Sequence, residues 1–157
     1  MNVPSVSVSQ IHTALDAFKS SLVAEPLRDS VQLSKPYELF EGPHGKADWP
    51  DVWGKVWGNF GNHGVYLHFD AVDSLLYVGK AVSLGGRLGN YFGSVKGSAA
   101  CHIKDPALKD VVRVRAIVLD EEPLKFLVPS LEWYLIDRLS PPVNKQHKKQ
   151  EWMKFEG

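Results

Sequence analysis

Tyr66 and Tyr77 sit in two short apolar runs, Gly64–Phe69 and Leu75–Gly79, joined by the polar turn Asp70–Ser74. The pattern predicts a β-hairpin, and strand alternation can bring both phenols to one face. Arg87 and Tyr91 stand four apart in a predicted helix over Leu84–Phe92, so they share a face. Glu132 lies among Leu131, Trp133, Leu135 and Ile136, where a carboxylate is costly without a partner or a cation. Asn144 follows Pro141-Pro142 in a loop able to fold back on the domain. Phenols, a guanidinium and a carboxylate can together activate a water, neutralise an oxyanion and hold a divalent cation. Each has a plainer role when taken singly: strand tyrosines fill sheet faces, and an isolated arginine or helix glutamate faces solvent.

The histidines and the cysteine add less. His68 lies two residues beyond Tyr66 and faces the same way, which makes it the one histidine candidate for the group. No histidine pair has zinc-finger or HExxH spacing, and Cys101 alone cannot build a zinc–thiolate site. No glycine-rich loop of Walker spacing is present, so an ATPase has no support.

The elements that must position these residues follow from periodicity. Ser7 and Gln10 have capping-box spacing, and Ile11, Leu15, Phe18 and Leu22 recur at helical intervals, predicting a helix over 9–23 that Pro26 ends. Residues 35–63 are broken by proline and glycine. They carry Trp49, Trp53 and Trp57, which fasten an arm to the core or offer a platform for stacking bases; Pro50–Trp57 has the spacing of one short helix. Ser83 is a good N-cap for the helix that carries Arg87. Residues 93–110 read as a polar loop. Val111–Leu119 reads as a strand with Arg113 and Arg115 on one face beside Ile117, and Leu124–Leu139 as a helix interrupted or restarted at Pro129. The sum is an α+β domain: a central antiparallel or mixed three-stranded sheet flanked by helices, with an N-terminal helix and an irregular Trp-rich arm.

A chain of 157 residues is one domain's worth. Apolar residues make up 44% and charged residues 23%, as in a soluble globular protein. No run approaches the length of a membrane span, and Met1–Gln10 lacks the basic start and apolar core of a signal peptide. With a single cysteine, this leads us to expect a reducing cytoplasm. Net charge is zero, but Lys80, Arg87, Lys96, Lys104, Lys109, Arg113 and Arg115 face only Asp105 and Asp110 over 77–115. A basic half on a neutral chain can follow a phosphate backbone.

In order along the chain, Gly64-Val65-Tyr66, Tyr77-Val78-Gly79-Lys80, Arg87, Tyr91, Glu132 and Asn144 resemble the motifs of the GIY-YIG nuclease family. The first half is most similar to the nuclease domain of the bacterial excision-repair incision subunit, where a lysine follows the second motif and a tyrosine follows the arginine by four. The resemblance covers about 62–146, leaving 1–61 as an extension packed on the core and 147–157 as a basic tail. Valine replaces isoleucine in both motifs, a volume-conserving change. Pro129 lies close enough to Glu132 to tilt its helix.

What the resemblance implies is a metal-dependent endonuclease. Glu132 would hold one Mg²⁺, for which Mn²⁺ would substitute, and Arg87 would pair with the scissile phosphate. Tyr66 would be the general base, with Tyr77 positioning the water or the base. Lys80, Arg87 or Mg²⁺ would favour the phenolate. Tyr91 would hydrogen-bond phosphate or water, and Asn144 would brace the site. The substrate is expected to be nucleic acid, DNA before RNA, its backbone gripped by His102, Lys104, Lys109, Arg113 and Arg115 in addition to Arg87. Two other readings stay open: a catalytically inactive nucleic-acid-binding module of the same fold, and an interaction protein that uses the Trp-rich arm as its partner surface.

Overall fold

The structure, a computed structural model, describes residues 4–40, 47–48, 57–94 and 101–144. Helix α1 spans Val8–Leu22. Its N-terminus is the expected capping box: Gln10 N donates to Ser7 Oγ at 3.3 Å, and Ser7 N donates to Gln10 Oε1 at 2.8 Å. At its other end the Arg28 Nε donates to the carbonyls of Lys19 and Val23 at 3.1 and 3.0 Å, satisfying acceptors a helix end leaves bare. Arg28 is placed there by a 3₁₀ helix over Glu25–Ser30 that opens at Pro26.

The sheet is antiparallel throughout and has one strand more than expected. Strands β1 (Tyr37–Glu38), β2 (Gly64–Phe69), β3 (Leu75–Ala81) and, later in the chain, Arg113–Val118 run in the order β1, Arg113–Val118, β2, β3. The added edge comes from the arm. Ser34 N donates to the Ala116 carbonyl at 2.8 Å, and Tyr37 and Glu38 pair with Val114 and Arg113. Part of the arm is therefore regular, a pairing too short to leave a period in the sequence. Trp57 meets the Tyr37 ring edge-on at 5.9 Å, as a fastening residue would. Trp49, Trp53 and the helix expected over Pro50–Trp57 lie outside the described residues.

Helix α2 spans Leu84–Tyr91. Where a loop was expected, two short strands, β4 (Phe92–Ser94) and β5 (Cys101–Ile103), form a ribbon, and a 3₁₀ turn over Pro106–Leu108 follows. Strands of three residues carry no readable alternation. Arg113–Val118 is β6. The helix expected over 124–139 divides into α3 (Glu122–Lys125) and α4 (Val128–Leu139). Pro129 lies in the first turn of α4, where its missing N–H costs nothing. It starts the helix that carries Glu132 rather than tilting it. Among the described residues no helix is long and apolar enough to cross a membrane.

Two hydrophobic clusters divide along the faces of the sheet. Val65, Leu67, Phe69, Leu75, Val78 and Ile117 pack with α1 and α4 through Ile11, Leu15, Phe18, Leu131 and Leu135. Tyr66, Ala81, Val114 and Ala116 pack with α2 and the ribbon through Leu84, Leu88 and Phe92. A β-bulge sorts the third strand between them. His68 pairs with Tyr77 but Phe69 pairs with Leu75, so Leu76 is the extra residue. Leu75 thereby faces the α1/α4 core while Tyr77 faces the other side.

Asn144 and His68 are polar side chains enclosed in this framework. Asn144 lies against the outer edge of β3, where its Oδ1 accepts from Val78 N at 2.8 Å and its Nδ2 donates to the Val78 carbonyl at 2.9 Å. One side-chain amide thus acts as a neighbouring strand for one residue. His68 is fully buried, and among the described residues neither ring nitrogen has a hydrogen-bond partner. Its ring lies 5.0–5.6 Å from those of Tyr66, Tyr77, Tyr91 and Phe92. Burial pushes the imidazole down from 6.5 to about 3.

Asn144→Leu strips both bonds from Val78 and should lower stability by roughly 1–3 kcal/mol, read as a lower urea midpoint at unchanged slope. His68 makes stability depend on acid. The unfolded chain takes a proton near 6.5, while the folded chain refuses it until about 3. Stability is intact above that window and falls progressively as pH drops through it. His68→Phe should therefore flatten the decline in melting temperature between pH 6.5 and 4. A decline as steep as that of the parent would show that other groups govern it.

Candidate active site

The hairpin and α2 bring three phenols together. Tyr66 on β2 stands opposite Gly79 on β3, and Tyr77 stands opposite His68, so the tyrosines are diagonal neighbours on one face with ring centroids 6.2 Å apart. Tyr91, the last residue of α2, completes the group at 5.9 Å from Tyr66 and 6.4 Å from Tyr77. The Tyr66 and Tyr91 hydroxyls are 3.2 Å apart and share a hydrogen bond. The Arg87 Nε donates to the Tyr66 hydroxyl at 3.3 Å, and its guanidinium lies 5.4 Å from the Tyr91 ring centre. The face shared by Arg87 and Tyr91, read from their spacing, is the face that meets the sheet.

Gly79 makes this arrangement possible. A Cβ at position 79 would overlap the Tyr66 ring and hydroxyl, so the phenol occupies the space a side chain would take. The sequence offered no reason for that glycine beyond its place in a motif.

A second contribution came from a turn that the sequence did not single out. Residues 57–62 hold the N-terminus of α2: Leu84 N donates to the Asn62 carbonyl at 3.0 Å and Gly85 N to the Phe60 carbonyl at 2.9 Å. Ser83 acts as the N-cap, accepting from Gly86 N at 3.4 Å, and its hydroxyl donates to the Phe60 carbonyl at 2.8 Å. Gly85 lets Phe60 sit this close, since a Cβ there would strike its ring. The amides that usually make a helix start attractive to anions are thus occupied. The charge α2 presents is that of Arg87, whose side chain is exposed.

Electrostatics follow from burial. Desolvation raises the Tyr66 phenol far above its ordinary 10, and the adjacent Arg87 opposes that shift only in part. Tyr77 is raised for the same first reason, with Tyr91 adding to it. The hydrogen bond to Tyr66 is the leading cause that holds Arg87 above its usual value. Both inner phenols are therefore protonated in the protein by itself, and a phenolate needs more positive charge nearby.

Across the edge of β3 lies the acidic part. Lys80 Nζ and Glu132 Oε2 are 2.6 Å apart, joining β3 to α4. Among the described residues no group of three or more His, Cys, Asp or Glu converges on one point. A divalent cation would have one carboxylate, Glu132, and would take its other ligands from water and substrate oxygens. That donor set suits Mg²⁺, which retains much of its hydration shell, and does not suit zinc. An open groove of about 310 Å³ runs beside the cluster, with Lys80 and Arg87 on its walls together with Ser83 and Asn90.

The remaining candidates are distributed differently. His102 is exposed on β5, and Lys109 is exposed beyond it. Lys104 Nζ donates to the Gly89 carbonyl at 2.9 Å, tying the ribbon to α2. Arg113 is engaged by Glu38 at 3.0 Å and Asp73 at 2.7 Å. Arg115 donates to the Ser34 carbonyl at 3.1 Å and lies 5.8 Å from the Phe69 ring centre. Both arginines thus hold the arm and the hairpin turn to β6.

Residues 62–145 match the family described as the UvrC-like GIY-YIG domain. The UvrABC system protein C of Clostridioides difficile (strain 630) is 40% identical over 81 residues, 52% of this chain and 13% of that protein. Its namesake in Flavobacterium johnsoniae is 33% identical over 95 residues, 59% of this chain and 15% of that protein. In Flavobacterium psychrophilum the figures are 36% over 83 residues, 53% and 13%. The matched stretch is thus a small part of each of these relatives. Since the family match takes in more than half of the 157 residues, the chain belongs to the UvrC-like GIY-YIG domain family.

Proposed function

We propose that this chain is an endonuclease that hydrolyses phosphodiester bonds in nucleic acid, DNA before RNA, with the help of Mg²⁺. The observation that carries the reading is the contact between Arg87 and Tyr66, a guanidinium joined to a phenol beside a groove that Arg87 and Lys80 both line, with Lys80 paired to Glu132.

Arg87 pairs with the scissile phosphate, since a guanidinium matches two phosphate oxygens at once and stays charged at any working pH. As the phenolate, its own proton first lost to solvent, Tyr66 takes the proton of the attacking water, with Tyr77 positioning that water and Tyr91 bonding the phosphate or the Tyr66 oxygen. The neutral phenol cannot do this, and its acidity rises as cations gather round it; Arg87 is already in contact. Glu132 is the residue that would hold the metal. When bound, Mg²⁺, or Mn²⁺ in its place, supplies charge neutralisation at the phosphate and at the leaving oxygen. Asn144 fixes the edge of β3 from which Tyr77 and Lys80 project. His102 and Lys109, both exposed, would meet backbone phosphates further out. UvrABC system protein C, the name its relatives carry, supports DNA as the first substrate to try.

Cleavage of single-stranded, duplex and branched DNA and of structured RNA, in Mg²⁺ against EDTA, tests this. The parent chain should cut one of these only with metal. Glu132→Gln should abolish cutting and keep binding. Arg87→Ala should lower the rate by about 10²-fold or more, on the scale of losing one charge-stabilising donor, with an unchanged melting curve. Binding without cleavage by the parent would favour the inactive module, and cutting at full rate by Glu132→Gln would refute the metal role.

A further inference from the structure

The ion pair between Lys80 and Glu132 occupies the carboxylate assigned above to the metal. We propose that Lys80 acts as a resident cation on Glu132, which a divalent ion must displace, and that the displaced ammonium turns to the phosphate in the adjoining groove. The inference rests on the reading that Glu132 takes a divalent ion.

Three observations carry it. The contact is short, with 2.6 Å between Nζ and Oε2, so the ammonium stands where an ion on that oxygen would stand. The two side chains are unequally anchored: that of Glu132 is 18% exposed and that of Lys80 is 49% exposed. The carboxylate is therefore the fixed member, largely withdrawn from water and stabilised by a cation at all times. The lysine, on a flexible four-carbon stem half in solvent, is the member free to move. Finally, no cluster of three or more His, Cys, Asp or Glu converges there among the described residues, so an incoming ion and the ammonium would compete for Glu132.

Lys80 also lines the groove that Arg87 shares. A phosphate there offers the ammonium a new partner without removing it from the site. Metal and phosphate are then coupled. Each draws Lys80 away from Glu132 or profits from its departure, and the coupling must act equally in both directions. The chain alone would bind metal weakly, and the complete set of charges would assemble only on substrate.

The test is Mn²⁺ binding to the full chain without nucleic acid, followed by electron paramagnetic resonance. Lys80→Met should tighten Mn²⁺ binding about fivefold, the upper range for loss of one partly exposed ion pair. Lys80→Arg, whose planar group holds a carboxylate more firmly, should weaken it. Glu132→Gln should remove the tightened site. In the parent chain, the ε-methylene NMR signal of Lys80, identified by its loss in Lys80→Met, should shift on Mg²⁺ addition. Binding lost with Glu132→Gln but no tighter in Lys80→Met, or a Lys80 signal unmoved at saturating Mg²⁺, overturns the displacement while leaving Glu132 as the metal ligand. Mn²⁺ binding that survives Glu132→Gln in every background removes the metal role of Glu132, and this inference with it. Melting curves of both lysine variants confirm that each is folded, and Lys80→Arg tests the idea even if Lys80→Met is not.

Discussion

Strand β2 is paired on both sides, and every one of its residues is buried. Its register against β3 therefore governs two cores and the site together. A slip of one residue would turn Tyr66 and His68 into the apolar layer beneath α1 and α4, and would carry Val65 and Leu67 out of it. The bulge at Leu76 adds a second condition. In a regular strand of the same sequence, Leu75 and Tyr77 would share a face, and one of the two would be lost from its proper environment. Lys80 projects toward α4 while Tyr77 projects toward α2. The site straddles an edge strand because the strand's own alternation distributes its functional groups to both sides.

The charges show a related economy of placement. The start of α2 is closed by the carbonyls of Asn62 and Phe60 and by the Ser83 side chain. Its dipole is thus engaged internally, and Arg87 alone carries positive charge from that helix to the phenols. The phenols are raised by burial, so the protein at rest holds them neutral. Glu132 is likewise held in balance by Lys80. A site of this kind is electrically quiet until a polyanion and a metal disturb it.

Much of this was legible in the sequence where local rules apply. The capping box at Ser7, the hairpin, the Ser83 cap and the shared face of Arg87 and Tyr91 all follow from spacings of two to four residues. Glu132 was singled out because a carboxylate among apolar neighbours demands a partner, and the structure supplies Lys80 from another element. That partner was not legible, since no local rule links β3 to α4. The ribbon of Phe92–Ser94 and Cys101–Ile103 escaped because its strands are too short to show a period, and the edge strand at Tyr37 for the same reason. Arg113 and Arg115 were expected to grip a nucleic-acid backbone, and their protein partners were not legible. Their partners, Glu38, Asp73 and the Ser34 carbonyl, come from segments the sequence did not bring near β6.

Gly79 has a meaning beyond its own position. It is small because Tyr66, opposite it on β2, needs the volume. The two residues are thus one steric unit divided between two strands. A descendant that gave up the aromatic ring at 66 would be released at once from the requirement for glycine at 79. One that acquired a side chain at 79 would have to surrender the ring. Divergence at this pair is therefore ordered: loss of the ring at 66 can come first and alone, whereas a side chain at 79 requires that loss.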